Sequence, residues 1–431
     1  MTISSREKFL SYLDIIGAVA MYLYVFTNYV AQDIIINSYV NSVFLYTFLG
    51  LVLFKTCLTF RELPRMSRFT LWYILFTVFS FIIMLYSPKI KLFDGAFYSI
   101  LITLALIYSF QLYVTSEKGF RHLAWCYSGS GFATILMLFV TGNFHGSVDD
   151  RLGQTTFGNA NIFASLMMVA AMYTLWLVVY TKGLPRILPA IFFLADMYAL
   201  ALSGGRTFFV IPFIFLYFLF LFKRDKRGRI HVVRVTLIFA ALGIAVLIAI
   251  MTVPVLYNSI GVRMKALWDT FIGNTNIGSA SIREDLRHAA MEGWRESPIF
   301  GHGLDSFKYL ALEKIDHFYY SHCNYTELLY NGGIFYFILY YFMFAKILIE
   351  AFRQKTLASS YRAFAITVPI CLFIFDYGAV SFSSPHNLVM LMLACKCLTF
   401  DNLDEKKEIP SDTTRNPLAR FFRKRKSSSG E

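Results

Sequence analysis

The sequence is poor in charge. Asp, Glu, Lys and Arg make up only 16% of its 431 residues, while 57% are apolar and 18% aromatic; soluble domains carry about 25% charged residues. That balance excludes a soluble globular domain and indicates a polytopic membrane protein. Cysteine is scarce and scattered. The six, at 57, 126, 323, 371, 395 and 397, draw neither a disulfide framework nor a metal-ligand spacing. No His-x-x-x-His pair stands on a helical face, and no convincing repeat relates the two halves as in many transporters. The first residues lack the small-residue cleavage pattern of a secretory signal, so the apolar segment after Arg6 and Lys8 reads as a first membrane helix.

What the chain does have is a series of apolar segments of about 15–25 residues. That length crosses a hydrocarbon core about 30 Å thick at a rise of about 1.5 Å per residue. Twelve spans are expected, at 13–31, 38–60, 69–87, 92–113, 122–140, 157–181, 187–203, 207–222, 235–257, 333–350, 363–380 and 386–400. The fold class is therefore an all-α integral membrane protein.

Positive charge orients the spans. With a cytoplasmic N-terminus, the inner segments hold 26 of the 40 Lys and Arg, including the runs 223–229 and 420–426, and the outer ones hold 11. Lys55, Lys346 and Lys396 lie near the inner ends of spans, where long side chains reach the interface. Both termini are expected inside and the polar loop 258–332 outside. The net charge of +13 then reads as a topology signal rather than a nucleic-acid surface. The chain divides into helices 1–9 (1–257), the loop (258–332), helices 10–12 (333–400) and a basic tail (401–431). The tail lacks apolar periodicity and is expected to be disordered near anionic lipid headgroups. Asp196 is the acidic residue nearest the middle of a span, where pairing with an arginine or a polar group on another helix, or proton transport, would account for it.

The loop 258–332 concentrates the polar chemistry. Ser281-x-x-Glu284 has the form of a capping box, opening a helix that ends before Pro298 with Ile282, Leu286, Ala290 and Trp294 as its apolar stripe. Arg283 and Arg287, four apart, share one face of that helix and offer an anion clamp. Further pieces are Arg151 followed by Gly158-Asn159-Ala160-Asn161-x-x-Ala164, then Leu202-Ser203-Gly204-Gly205-Arg206, then Ser297-Pro298-x-Phe300-Gly301-x-Gly303, then His322-x-Asn324-x-x-Glu327.

In their order and spacing these pieces resemble the bacterial O-antigen ligase and O-antigen polymerase superfamily of membrane glycosyltransferases. The resemblance covers most of the chain from Arg151 to the last span. Two small departures, Gly205 where a serine often precedes the arginine and Cys323 between His322 and Asn324, remove no functional side chain. The resemblance implies a GT-C-like membrane fold in the bacterial cytoplasmic membrane. It implies transfer of a glycan from a polyprenyl (undecaprenyl) diphosphate carrier to a sugar hydroxyl on the outer face, without nucleotide sugar, metal or other cofactor. The expected partners are that donor, a lipid-anchored or growing glycan acceptor, membrane lipids and other polysaccharide-assembly proteins, with no nucleic acid.

Such chemistry needs fixed cations for a leaving diphosphate and a base for the attacking hydroxyl. Arginine suits the first task, since its planar fork binds phosphate oxygens bidentately and keeps its charge. Arg206 and Arg283 are the leading catalytic cations, although an interfacial anchor and a solvated helix charge also describe them. Arg151 either holds glycan or phosphate or fixes its loop. His322, which takes up a proton near neutral pH, is the candidate base. Arg287, Asn161, Asn324, Glu327 and Tyr325 are candidate binding residues; Asn324 and Glu327 would orient the imidazole or bind sugar hydroxyls, and Tyr325 would stack on a sugar ring. A ligase is favoured over a polymerase. A transporter or flippase of lipid-linked sugars and a non-catalytic scaffold of an envelope assembly are the other classes, and gathering of the polar residues at one face counts against a transporter.

Overall fold

A computed structural model describes residues 3–30, 39–59, 66–147, 150–223, 232–271, 279–354 and 359–400. The expected tail 401–431 and most of the run 223–229 lie outside them. Among the described residues every regular element is helical. In chain order they are α1 (Ile3–Val30), α2 (Tyr39–Leu58), α3 (Arg68–Leu85), α4 (Gly95–Tyr113), α5 (Glu117–Val140), α6 (Ala160–Tyr180), α7 (Ile187–Leu202), α8 (Arg206–Phe222) and α9 (Val232–Thr252). The polar loop follows with α10 (Pro254–Leu256), a π turn (Tyr257–Gly261), α11 (Val262–Phe271), α12 (Ser279–Glu296) and α13 (Phe307–Ile315). The chain ends with α14 (Asn324–Arg353), α15 (Ser359–Phe375) and α16 (Pro385–Cys397).

Each expected span falls on one of these helices. Nine of the helices among the described residues are long and apolar enough to cross a membrane. Arg206–Phe222 and Ser359–Phe375 are apolar but shorter, and Pro385–Cys397 has 13 residues. At about 1.5 Å per residue the last covers only about 20 Å, less than a hydrocarbon core about 30 Å thick. The expected spans 363–380 and 386–400 ran on through the turns that follow Phe375 and Cys397, whereas 207–222 agrees with α8 to within one residue.

The bundle is built around α6. Of its most apolar window 83% is buried, against 6% for α9, the most hydropathic of the nine. Both helices are apolar on every face, a pattern that marks a core helix or a lipid-facing one without distinguishing them. Neighbouring α5, α7 and α8 enclose α6. Asp196 on α7 is fully buried and accepts a hydrogen bond from Thr174 of α6 at 3.2 Å, so the polar group across helices is a threonine rather than an arginine; its Oδ1 has no partner among the described residues.

The loop has its own small core of Leu286, Ala289, Ala290, Phe307, Ala311 and Tyr330. The α12 stripe therefore differs from expectation: Ala289 is buried, whereas Ile282 is 37% exposed. The contact with α13 and α14 settles on the rows at i+3 and i+4 from Leu286. Among the described residues the helix is already formed at Ser279, which puts Ser281 within it rather than at a cap.

The Ser297–Gly303 segment closes a break in α14. At Gly333, φ 67° and ψ −167° interrupt that helix. In a continuous helix the amide of Ile334 would bond the Tyr330 carbonyl, four residues back. Instead Ile334 N donates to Pro298 O at 2.9 Å, while His302 N and Gly303 N donate to the carbonyls of Tyr330 and Asn331 at 2.8 and 2.9 Å. The segment replaces the lost helical ladder and satisfies carbonyls that a break would orphan. A Cβ at Gly333 would collide with the Ile299 carbonyl, so both its conformation and its surroundings demand glycine.

Candidate active site

The break and its clasp position the chain just before α14. Glu327, on the first turn of α14 and buried, accepts from the amide of Ser321 at 2.7 Å and from the Asn331 amide group at 3.3 Å. Asn324 donates to Tyr341 at 3.0 Å and to Asp376 at 3.2 Å, and its carbonyl accepts from the amides of Ser381 and Phe382, each at 2.9 Å. Asp376 also accepts from Tyr341 at 2.8 Å and from Ser381. Two buried anchors thus grip the turn on either side of His322, whose φ of 54° is rare for a residue with a side chain.

These contacts correct two expectations. Asn324 and Glu327 hold backbone, not the imidazole, and neither lines the cavity that His322 faces. Tyr325 points elsewhere too: its hydroxyl donates to the Phe373 carbonyl and its ring packs on Phe337, Tyr341 and Phe373. Asp376 was the missed member of this network; its sequence signal was an acidic residue near the end of an apolar run.

The cavity itself is an open cleft, with about 510 Å³ of empty space when the open solvent at its mouth is included. Arg151, Asn161, Arg206, Arg263, Arg283, Tyr320 and His322 line it together with the start of α8 and Gly378-Ala379. Of the nine candidate residues, five meet there: Arg151, Asn161, Arg206, Arg283 and His322. Arg287 does not. It pairs with Glu284 one turn back and lies 4.8 Å from the centre of the Tyr377 ring, so the expected Arg283–Arg287 clamp is not formed. Arg263 was missed because a lone arginine in a polar loop carries no pattern.

Local structure sets each cation. Arg151 is fixed by bonds from Nε to the Ser203 carbonyl at 2.6 Å and from its terminal nitrogen to Asn161 Oδ1 at 2.9 Å. Asn161 is placed by Asn159, the N-cap of α6. Arg206 opens α8 and donates to the Arg263 carbonyl at 2.7 Å. No side chain among the described residues caps α8, so its first amides face the cleft with the positive end of the helix dipole.

No carboxylate is among the described residues lining the cleft. Burial, then the guanidiniums of Arg263, Arg283 and Arg206, pull Arg151 down to about 10, still protonated at neutral pH. Burial also lowers Arg263 and Arg283; for Arg283, Tyr320 opposes the fall and Arg287 and Arg263 add to it. His322 is lowered to about 4 by burial, then by Arg283 and Arg287. It is therefore neutral at pH 7, and its ring lies 4.4 Å from that of Tyr320. Four guanidiniums with no carboxylate among the described lining residues, beside a neutral imidazole, form a surface that can attract an anion and accept a proton at its edge.

Residues 189–341 match the family model described as O-antigen ligase. The match supports the O-antigen ligase/polymerase superfamily. No curated protein and no solved structure matched the chain. The O-antigen ligase match indicates a function of that type in polysaccharide assembly. It spans Arg206, Arg263, Arg283, Tyr320 and His322 and leaves Arg151, Asn161 and Gly378-Ala379, which complete the same cleft, outside it. Among the described residues no group of three or more His, Cys, Asp or Glu is arranged to hold a metal ion.

Proposed function

We propose that the protein is a membrane glycosyltransferase that moves a glycan from a polyprenyl diphosphate carrier to a hydroxyl of an acceptor sugar, on the outer face of the bacterial cytoplasmic membrane. The observation that carries this reading is the cleft in which four guanidiniums and the uncapped start of α8 surround one neutral histidine, with no carboxylate among the described lining residues.

The acceptor oxygen attacks the anomeric carbon of the glycan. The bond from that carbon to the diphosphate oxygen breaks, and its electron pair leaves with the carrier. The donor diphosphate carries about two negative charges and the released polyprenyl diphosphate about three, so fixed cations bind the departing group more strongly than the ground state. Arg206 and Arg283 hold that charge, and Arg151, oriented by Asn161, completes the cradle. His322 accepts the hydroxyl proton as the new bond forms.

The low affinity of free His322 for a proton suits this sequence of events. An anionic diphosphate in the cleft offsets Arg283 and raises the basicity of the imidazole when donor is bound. Proton acceptance is thereby coupled to occupancy. Because guanidiniums supply the charge, the reaction proceeds without a metal ion.

The test is mass spectrometry of products from purified protein given a synthetic lipid-linked repeat unit, alone and with a lipid-anchored acceptor. Transfer only with acceptor identifies a ligase, the favoured outcome, and lengthening from donor alone identifies a polymerase. If donor is neither consumed nor converted to polyprenyl diphosphate, the reading fails.

A further inference from the structure

Arg263 is the one cleft arginine that no sequence pattern pointed to. Arg151 and Arg206 spend donors on protein carbonyl groups, through Ser203, Asn161 and the Arg263 backbone. The Arg263 Nε, in contrast, is buried without a hydrogen-bond partner among the described residues. A buried guanidinium donor left unpaired is costly, and such groups call for an explanation.

The local fold is built to put it there. The π turn Tyr257–Gly261 directly precedes Val262 and adds a residue to the winding, which rotates everything after it by about 100° relative to an α-helix. Gly204, at φ 63°, leaves open the space the guanidinium occupies: a Cβ there would lie 3.2 Å from Arg263 Nε and 3.3 Å from its Cδ. The Arg206 side chain grips the Arg263 carbonyl at 2.7 Å. A helical irregularity, a glycine and a neighbouring cation fix the Arg263 guanidinium in the cleft wall, with its Nε bonded to none of the described residues.

We propose that Arg263 binds the second phosphate of a diphosphate, so that the cleft selects diphosphate over monophosphate carriers. One bidentate guanidinium satisfies two oxygens of one phosphate. A monophosphate engages the Arg206–Arg283 side and leaves the Arg263 Nε unpaired, whereas a diphosphate reaches both. Selection therefore arises from the penalty on the unfilled donor, the same asymmetry by which sites built to hydrogen-bond a group reject ligands that lack it. This inference rests on the reading of the cleft as a diphosphate site.

The test is calorimetric titration of the purified full chain in detergent with inorganic pyrophosphate and with orthophosphate, for wild type, Arg263→Gln, Arg263→Lys and Arg287→Gln. Wild type should prefer pyrophosphate. Arg263→Gln should weaken pyrophosphate at least about tenfold while orthophosphate changes less than about threefold, and Arg263→Lys should fall between, since an ammonium restores charge but not the fork. Arg287→Gln removes equal charge from outside the cleft and should preserve the preference. Thermal unfolding of each variant identifies any that has lost its fold, and Arg263→Lys then carries the comparison. Equal weakening of both anions by Arg263→Gln, or less than about threefold for pyrophosphate, overturns the role of Arg263 alone. Failure of wild type to bind pyrophosphate overturns this role and the diphosphate reading together.

Discussion

The displaced titration of His322 gives the sharpest prediction. An ordinary histidine titrates near 6.5, and His322 titrates near 4 because burial, Arg283 and Arg287, in that order, all oppose its protonation. Arg283→Gln removes the second of these causes and leaves the larger first one. It should therefore return less than half of the displacement and move the midpoint upward from about 4. The sign is fixed: removing a cation stabilises the imidazolium. At pH 5 the wild-type ring is roughly nine-tenths neutral, and in the variant a larger share is protonated. The assay is an NMR titration of histidine-labelled protein in detergent, with His322→Ala identifying the signal among the eight histidines. Adding pyrophosphate to wild type should move the midpoint in the same direction. A wild-type midpoint above about 6, or one that Arg283→Gln leaves in place, refutes the electrostatic account of the cleft.

Other consequences follow from the same contacts. Gly333→Ala drives a Cβ into the Ile299 carbonyl at φ 67° and should cost more than about 3 kcal/mol; an unchanged Tm in detergent contradicts the clasp described for Ser297–Gly303. Asn324→Ala strips the acceptor from two buried amides and should cost about 2–4 kcal/mol, read from the same melts; if it lowers turnover with no loss of stability, Asn324 acts on substrate instead. His322→Ala should slow transfer by about 10²–10⁴-fold with little change in pyrophosphate affinity, and wild-type-like turnover removes it as the base. Extensive dialysis against EDTA should leave transfer intact, whereas loss restored by one divalent ion would replace the arginine-only account.

Much of the molecule is legible in the sequence, for local reasons. Low charge and long apolar runs mark helices, and each of the twelve expected spans overlaps one, although only nine helices among the described residues are long and apolar enough to cross a membrane. Five cleft residues, Arg151, Asn161, Arg206, Arg283 and His322, stand in recognisable patterns of residue type and spacing. Adjacency in the chain is a poorer guide. Arg287 stands four residues from Arg283 and shares its helical face, yet Glu284 and the Tyr377 ring take it out of the cleft. Asn324 and Glu327 stand beside His322 in the chain, yet they turn inward, Glu327 to the amide of Ser321 and Asn324 to the amides of Ser381 and Phe382.

The amino-acid sequence by itself determined which segments are helical and apolar and which short stretches carry cations, an imidazole and glycines, because those properties depend on residue type and on spacing within a few turns. Tertiary structure alone decided that α6 lies at the centre of the bundle and α9 at its edge, though both are apolar all round. It alone brought Arg263 beside Arg206 and gave Ser297–Gly303 the broken end of α14 to clasp. Those outcomes rest on which side chains, distant in the chain, come within a few ångströms of one another, and spacing along the chain does not encode that.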